Sequence, residues 1–191
     1  GSEYHIPLPW RDGRLRRPPM PWINVIANER FGLLVSESGA GCTWSRNSQA
    51  HRLTPWYNDP VSDPHGEALY IRDESDGRFW SPLPGPAPDA DSTYEARHGF
   101  GYSSFLCMGR VGAAHLNGLD QEVTLFVPPE DPLRILRLRL TNQGPATRHL
   151  TLVSFQRLVL GFLPQQPSPI QTSYDPDRDL LLARNPQAGE F

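Results

Sequence analysis

The sequence predicts an all-β fold, a large antiparallel β-sandwich, and three observations support this prediction. Over residues 136–141, leucine alternates with arginine or threonine, which is the period of a strand with one buried and one solvated face. The 21 prolines and 16 glycines divide the chain into short segments. No stretch of ten or more residues has a convincing helical period. Many half-apolar strands of this kind bury their apolar faces when two sheets pack together.

The first half of the chain predicts an arm, four strands and one long connection. Residues 1–22 are rich in arginine and proline, a composition that favours an extended arm and excludes a helix. The strands are expected at 31–36, 42–45, 68–72 and 78–81. A polar connection over 46–67 separates the first two strands from the last two, and a loop of that length is usually functional or a structural clamp.

The second half is more regular. Strands are expected at 93–98, 100–109, 111–117, 121–127, 133–141, 148–160 and 179–184. The turn sequence Asn142-Gln143-Gly144-Pro145 predicts that the strand containing Leu150 pairs with residues 133–141. The whole chain then has about ten strands in mostly antiparallel order.

Composition excludes several classes of function. The formal net charge is -3 and every basic residue is arginine, so nothing in the charge indicates nucleic acid or an anionic membrane surface as a partner. No apolar run approaches the roughly 20 residues that span a bilayer, so we expect a soluble chain without direct membrane contact. Cys42 and Cys107 lie far apart and belong to no Cys-x-x-Cys pair, so we expect two reduced, buried thiols.

Signatures of catalysis are absent from the sequence. It has no nucleophile elbow and no lysine that would complete a phosphate-binding loop. The six histidines include no pair at metal-ligand spacing. We therefore assign no catalytic residue, no metal site and no cofactor.

A mixture of aromatic, amide, carboxylate and guanidinium side chains lies between residues 44 and 80. Proteins hold sugars with such groups, because aromatic rings pack on C–H faces while planar polar groups bind hydroxyls. The candidate contacts to carbohydrate or to another domain are Trp44, Asn47, Arg52, Trp56, Asn58, Asp59, Asp63, Tyr70, Arg72 and Asp73. The same residues also fit a structural role, since Asp and Asn beside Pro or Gly commonly close turns.

Several motifs resemble one enzyme family. In chain order they are Pro21-Trp22-Ile23-Asn24, Phe31-Gly32, Thr43-Trp44-Ser45, Arg52-Leu53-Thr54-Pro55-Trp56, Asn58-Asp59-Pro60-Val61, Tyr70-Ile71-Arg72-Asp73, Trp80-Ser81-Pro82 and Arg97-His98-Gly99. Together they resemble the start of the phosphorylase-like portion of cyclic β-1,2-glucan synthases. That portion is similar to the cellobiose and chitobiose phosphorylases of glycoside hydrolase family 94. The resemblance covers nearly the whole chain from about residue 18, and its most specific part is 43–73.

The resemblance implies a β supersandwich of the galactose-mutarotase-like kind, here over residues 23–191 and incomplete at its C-terminal end. In the family, an (α/α)6 barrel follows this domain and carries the catalytic Asp and the phosphate-binding residues, none of which lies in this chain. The implied parent enzyme is a glycosyltransferase or an inverting glycoside phosphorylase. We expect that parent in the bacterial inner membrane, with this portion cytoplasmic.

Three functional hypotheses follow. The first is a non-catalytic accessory and interface domain, whose partners are the barrel, β-glucan chains and a second copy of the chain. The second is a free-standing carbohydrate-binding module. The third is a small mutarotase-like epimerase, for which His98 and Glu95 are the only candidate acid–base pair. A truncated sandwich exposes backbone donors and apolar area, so we also expect self-association.

Overall fold

A computed structural model describes residues 2–109, 118–162 and 169–188, and within these ranges the secondary structure consists of strands. The strands are β1 (Tyr4–Leu8), β2 (Trp10–Arg11), β3 (Arg14–Leu15), β4 (Ile23–Ala27), β5 (Phe31–Ser36), β6 (Gly41–Ser45), β7 (Glu67–Asp73), β8 (Phe79–Trp80), β9 (Ser92–Gly99), β10 (Tyr102–Gly109), β11 (Leu119–Phe126), β12 (Ile135–Asn142), β13 (Leu150–Gln156), β14 (Gln171–Asp175) and β15 (Leu180–Arg184). The predicted all-β class is confirmed.

The largest sheet has five antiparallel strands in the order β1-β9-β10-β11-β12. Its inner face contributes Phe105, Ala96 and Val123, which the pairing register places side by side and which are all fully buried. A second sheet, β4-β5-β6, covers this face with residues such as Ile26 and Leu33, which belong to the same apolar cluster. Packing of two sheets over one core is the sandwich that the strand pattern predicts.

A third sheet, β13-β7-β8, has a smaller core of its own. Ile71 and Trp80 are paired across β7 and β8, and both are buried against Leu119 of β11. The indole of Trp80 donates to Oε1 of Gln121 over 2.7 Å, which satisfies its only polar atom inside the core. Two hairpins, β2-β3 and β14-β15, complete the described strands.

Residues 1–22, expected to form an extended arm, begin with an edge strand of the largest sheet. Tyr4–Leu8 forms β1, an edge strand of the largest sheet, and its Ile6 and Leu8 are buried in the main core. Pro7 does not prevent this, because proline is tolerated on an edge strand where its missing N–H costs no ladder bond.

The predicted pairing of the strand at Leu150 with residues 133–141 is wrong. β13 pairs with β7, while β12 pairs with β11 and forms an edge of the five-stranded sheet. The turn at 142–149 links the two sheets instead of closing a hairpin: Gln143 N donates to Gly118 O over 2.6 Å, and Glu74 N donates to His149 O over 2.9 Å. The strand predicted at 111–117 lies outside the described residues.

Candidate functional site

The predicted site residues lie on the connection between β6 and β7, on β6 and on β7. A largely buried ion pair fixes the base of this connection. A carboxylate oxygen of Glu67 contacts Nη1 of Arg134, and Oε1 of Glu67 accepts hydrogen bonds from Thr43 (2.7 Å) and Thr54 (2.5 Å). Burial lowers the pKa of Arg134 to about 10, but the group remains charged near neutral pH. Glu67 and Arg134 lie 67 positions apart in the sequence, so no local pattern indicates that their side chains meet.

Two predicted residues cap turns within the connection. Oδ1 of Asn47 accepts from the backbone N–H groups of Gln49 (2.9 Å) and Ala50 (2.8 Å). Asp59 accepts from the backbone of Val61 and from the backbone and hydroxyl of Ser62, and these hydrogen bonds, led by the hydroxyl, lower its pKa. The structure therefore places Asn47 and Asp59 in the turn-closing role that Asx residues commonly have.

Asp63 lies in a buried polar cluster. Its Oδ2 accepts from the hydroxyls of Ser36 (2.7 Å) and Ser38 (2.5 Å), and Nη1 of Arg17 lies 3.9 Å away. Nε2 of His65 is 3.3 Å from the Ser38 hydroxyl, and Gly85 packs so closely on the imidazole that a Cβ there would approach Nε2 to 2.4 Å. Burial lowers the pKa of His65 to about 4, so the ring is neutral at physiological pH.

Asp73 also has a structural role. It accepts from the backbone and hydroxyl of Ser75, at 2.9 and 2.6 Å, and its Oδ2 lies 3.4 Å from Nη1 of Arg148. Its backbone carbonyl receives Gly77 N, which closes the turn between β7 and β8. With both Asp63 and Asp73 buried among such partners, neither carboxylate faces a surface where a sugar would bind.

Trp44, Arg52 and Trp56 are half-buried. The backbone of Arg52 bridges Trp44 on one side and Gly161 on the other, and its Nε donates to Ser48 O over 3.0 Å. The Trp44 indole covers Gly32, where a Cβ would approach the ring to 2.4 Å. Asn58 is exposed and has a φ of 48°, a left-handed conformation that asparagine tolerates. None of these side chains lines the surface around Tyr70 and Arg72 that is described next.

Tyr70 and Arg72 share an exposed face of the β13-β7-β8 sheet. Because directly paired residues point to the same face, the register places Val153 beside Tyr70 and Phe79 beside Arg72. The Tyr70 and Phe79 rings are 6.2 Å apart at 70°, and Phe79 is 64% exposed. With Pro86 and Ala87 they line an open cavity of about 480 Å³, which we call the Tyr70 surface. Period-2 alternation on β7 predicts that Tyr70 and Arg72 share a face. It does not indicate Phe79 and Val153, because these residues lie on other strands.

The proposed acid–base pair does not form a site. Glu95 and His98 lie three residues apart on β9, so their side chains point to opposite faces of the sheet. Glu95 binds Arg97 (2.6 Å) and His5 (2.9 Å), and these contacts, led by the Arg97 hydrogen bond, lower its pKa. His98 is held between Ser103 and the Trp22 carbonyl, and burial lowers its pKa.

The remaining chemical candidates are structural. Cys42 and Cys107 are buried free thiols, as expected, and burial raises their pKa values to about 11 and about 12. In the described ranges, no group of three His, Cys, Asp or Glu side chains has the arrangement of a metal site. The same ranges contain no helix long and apolar enough to cross a bilayer.

Comparison with known proteins gives one consistent match. A family model described as glycosyl hydrolase 94, supersandwich domain, matches residues 10–191. A cyclic β-(1,2)-glucan synthase from Rhizobium meliloti is 35% identical over 192 residues, which is 100% of this chain and 6% of the synthase. An N,N'-diacetylchitobiose phosphorylase from Vibrio proteolyticus is 28% identical over 149 residues, 76% of this chain and 18% of the phosphorylase. A solabiose phosphorylase from Paenibacillus borealis is 29% identical over 172 residues, 87% of this chain and 22% of the phosphorylase.

Replacing Arg134 by Met is expected to lower the free energy of unfolding by about 3–5 kcal/mol, because it leaves the buried Glu67 carboxylate without its cation. Glu67→Gln should cost a similar amount, and the double variant should cost clearly less than the sum. Urea unfolding of the four proteins measures this coupling. Arg139→Met is the matched control, since Arg139 is 61% exposed in its pair with Glu122. Additive losses would contradict the coupling.

Replacing His65 by Gln is expected to reduce the pH dependence of the free energy of unfolding under acidic conditions. The pKa of His65 falls from 6.5 to about 4 on folding, so the unfolded chain binds more protons between these values. The neutral ring therefore stabilises the fold above pH 6.5, and this contribution, on the order of 3 kcal/mol, is lost as the pH falls toward 4.

Unfolding free energies measured between pH 4.5 and 7 test the His65 prediction. His149→Gln is the control because the His149 side chain is exposed. Glu37 is buried, and burial raises its pKa, so its contribution has the opposite pH dependence, but it is common to all three proteins and cancels in the comparison. Equal slopes for the wild type and His65→Gln would show that His65 does not titrate in this window.

Proposed function

Because the chain belongs to the glycosyl hydrolase 94 supersandwich domain family, we propose that it is a non-catalytic accessory domain of a β-glucan-processing enzyme. It spans less than a quarter of the synthase and phosphorylases that it resembles. In the proposal, the parent is a glycosyltransferase or an inverting phosphorylase associated with the inner membrane. The reaction occurs in a separate barrel domain, against which this sandwich packs on the cytoplasmic side.

The observation that carries the proposal is that the two faces of β7 have different surroundings. Its inward carboxylate, Asp73, is bound in a turn, whereas its outward Tyr70 and Arg72 are presented with Phe79 on an open surface. Aromatic faces beside a guanidinium suit a sugar ring and its hydroxyls, and they equally suit a protein neighbour. We propose that the Tyr70 surface contacts the glucan chain or the barrel, and that Asp63 and Asp73 only support it.

A calorimetric titration with linear β-1,2-gluco-oligosaccharides is expected to give heat that Phe79→Ala removes, with cellobiose as the linkage control. Phe100→Ala is the matched control, because Phe100 is a fully exposed phenylalanine that does not line the Tyr70 surface. Trp56→Ala tests the 46–66 connection separately. Heat lost with Phe79→Ala would support glucan contact at the Tyr70 surface, and absence of heat at millimolar sugar would contradict that contact and leave the barrel as the proposed neighbour.

The isolated chain is expected to self-associate, since no described strand covers the outer edge of β13 and its Leu152, Val153 and Phe155 are each about half exposed. Light scattering across a concentration series measures this. Phe155→Lys should shift the distribution toward monomer, because a charged residue on an edge strand opposes pairing. Val61→Lys is the control, at a position that is 94% exposed outside any strand. A clean monomer at high concentration would contradict the expectation.

A further inference from the structure

A second open cavity lies in the first part of the sequence, where β1 and the β2-β3 hairpin meet residues 16–22. Its lining includes Tyr4, His5, Arg11, Arg16, Arg17 and Trp22, completed by four apolar residues, and its volume is about 350 Å³. We call it the Trp22 groove. It shares no lining residue with the Tyr70 surface.

The aromatic wall of the groove is exposed and rigidly mounted. The Tyr4 and Trp22 rings are 5.0 Å apart at 53°, and they are 61% and 45% exposed. The backbone of Trp22 is fixed on both sides: its N–H donates to Oε2 of Glu37 over 2.7 Å, and its carbonyl is 3.0 Å from Nε2 of His98. Because Glu37 and His98 hold its backbone, Trp22 needs little backbone ordering when a ligand binds.

The lining of the groove also includes three arginines. The tight turn at Asp12-Gly13 allows Arg11 to pair with Arg14 across the β2-β3 hairpin. The Trp10 indole anchors this hairpin by donating to Ser92 O over 2.8 Å. Arg16 pairs with the 85% exposed Asp12, and Nη1 of Arg17 lies 3.9 Å from Oδ2 of Asp63. Within the described residues, the side chain of Arg11 has no hydrogen bond or ion pair.

We propose that the Trp22 groove binds a hexose that bears a negative charge, either a carboxylate or a phosphate. The C–H face of the ring packs on Trp22 and Tyr4, and Arg11 and Arg17 bind the anion. Arginine suits this task because its planar fork matches carboxylate and phosphate oxygens. Charge complementarity selects the anion, and the two tilted rings select a compact ring with apolar faces. This binding is additional to the role of the Tyr70 surface.

Calorimetric titration of the 191-residue chain with glucuronic acid and glucose 6-phosphate tests the proposal, and the two sugars distinguish a carboxylate from a phosphate ligand. Glucose provides the ring without the charge, and inorganic phosphate provides the charge without the ring. We expect at least one anionic sugar to bind about tenfold or more tightly than both controls, and higher salt to weaken it. Absence of heat with both anionic sugars at 10 mM (about ten times a millimolar dissociation constant) would overturn the proposal, as would equal binding of glucose.

Arg11→Gln and Arg14→Gln are a matched pair of variants. Both residues are exposed and lie opposite each other on the hairpin, but only Arg11 lines the groove. Arg11→Gln should weaken binding of the anionic sugar about tenfold or more, which equals about 1.4 kcal/mol, and Arg14→Gln should change the dissociation constant by less than about twofold. Equal weakening by both variants would mean a diffuse charge effect and would overturn the site, and so would competition by inorganic phosphate at the affinity of the sugar.

Discussion

The largely buried ion pair between Glu67 and Arg134 is the constraint on which the arrangement of this domain depends. It joins the start of β7 to the residue preceding β12, and it reaches β6 through Thr43. These strands belong to three different sheets. A charge buried in such a position is tolerated only when its remaining oxygens and protons are hydrogen-bonded, which Thr43 and Thr54 achieve for the carboxylate. The polar contact thus fixes how sheets packed by non-directional apolar contacts are positioned relative to one another.

The placement of β7 explains why its two faces have different roles. Ile71 enters the smaller core and pairs with the buried Trp80, so Tyr70 and Arg72 must face outward. The hairpin turn, closed by Asp73, then brings Phe79 to the same outer face. The Tyr70 surface therefore results from strand period and register, together with the turn that Asp73 closes.

Much of the strand content was predictable because it depends on local pattern. Residues 31–36 form a strand as predicted, and the leucines of β12 are half-buried while Arg137 and Arg139 are exposed. The partner of β13 was not predictable, since the choice between two sheets depends on contacts of residues 142–149 with Gly118 and Glu74. The candidate site divides in the same way. Local pattern predicts turn roles for Asn47 and Asp59, but only the assembled fold shows that Asp63 is buried and that Tyr70 meets Phe79.

The connection over residues 46–66 has a consequence for divergence within the family. Its ends are joined by the Thr43–Glu67 hydrogen bond, its middle is held by Arg52, Thr54 and Asp63, and its turns at Asn47 and Asp59 are closed by side-chain oxygens that accept from the following backbone. An exposed turn between such anchors, as at residues 58–62, can gain or lose residues with only a small change in loop-closure entropy. Relatives can therefore alter what this loop meets, such as a different neighbouring domain or a longer substrate, while the sandwich beneath it stays the same. The loop is a position where new specificity can evolve without a matching change in the core.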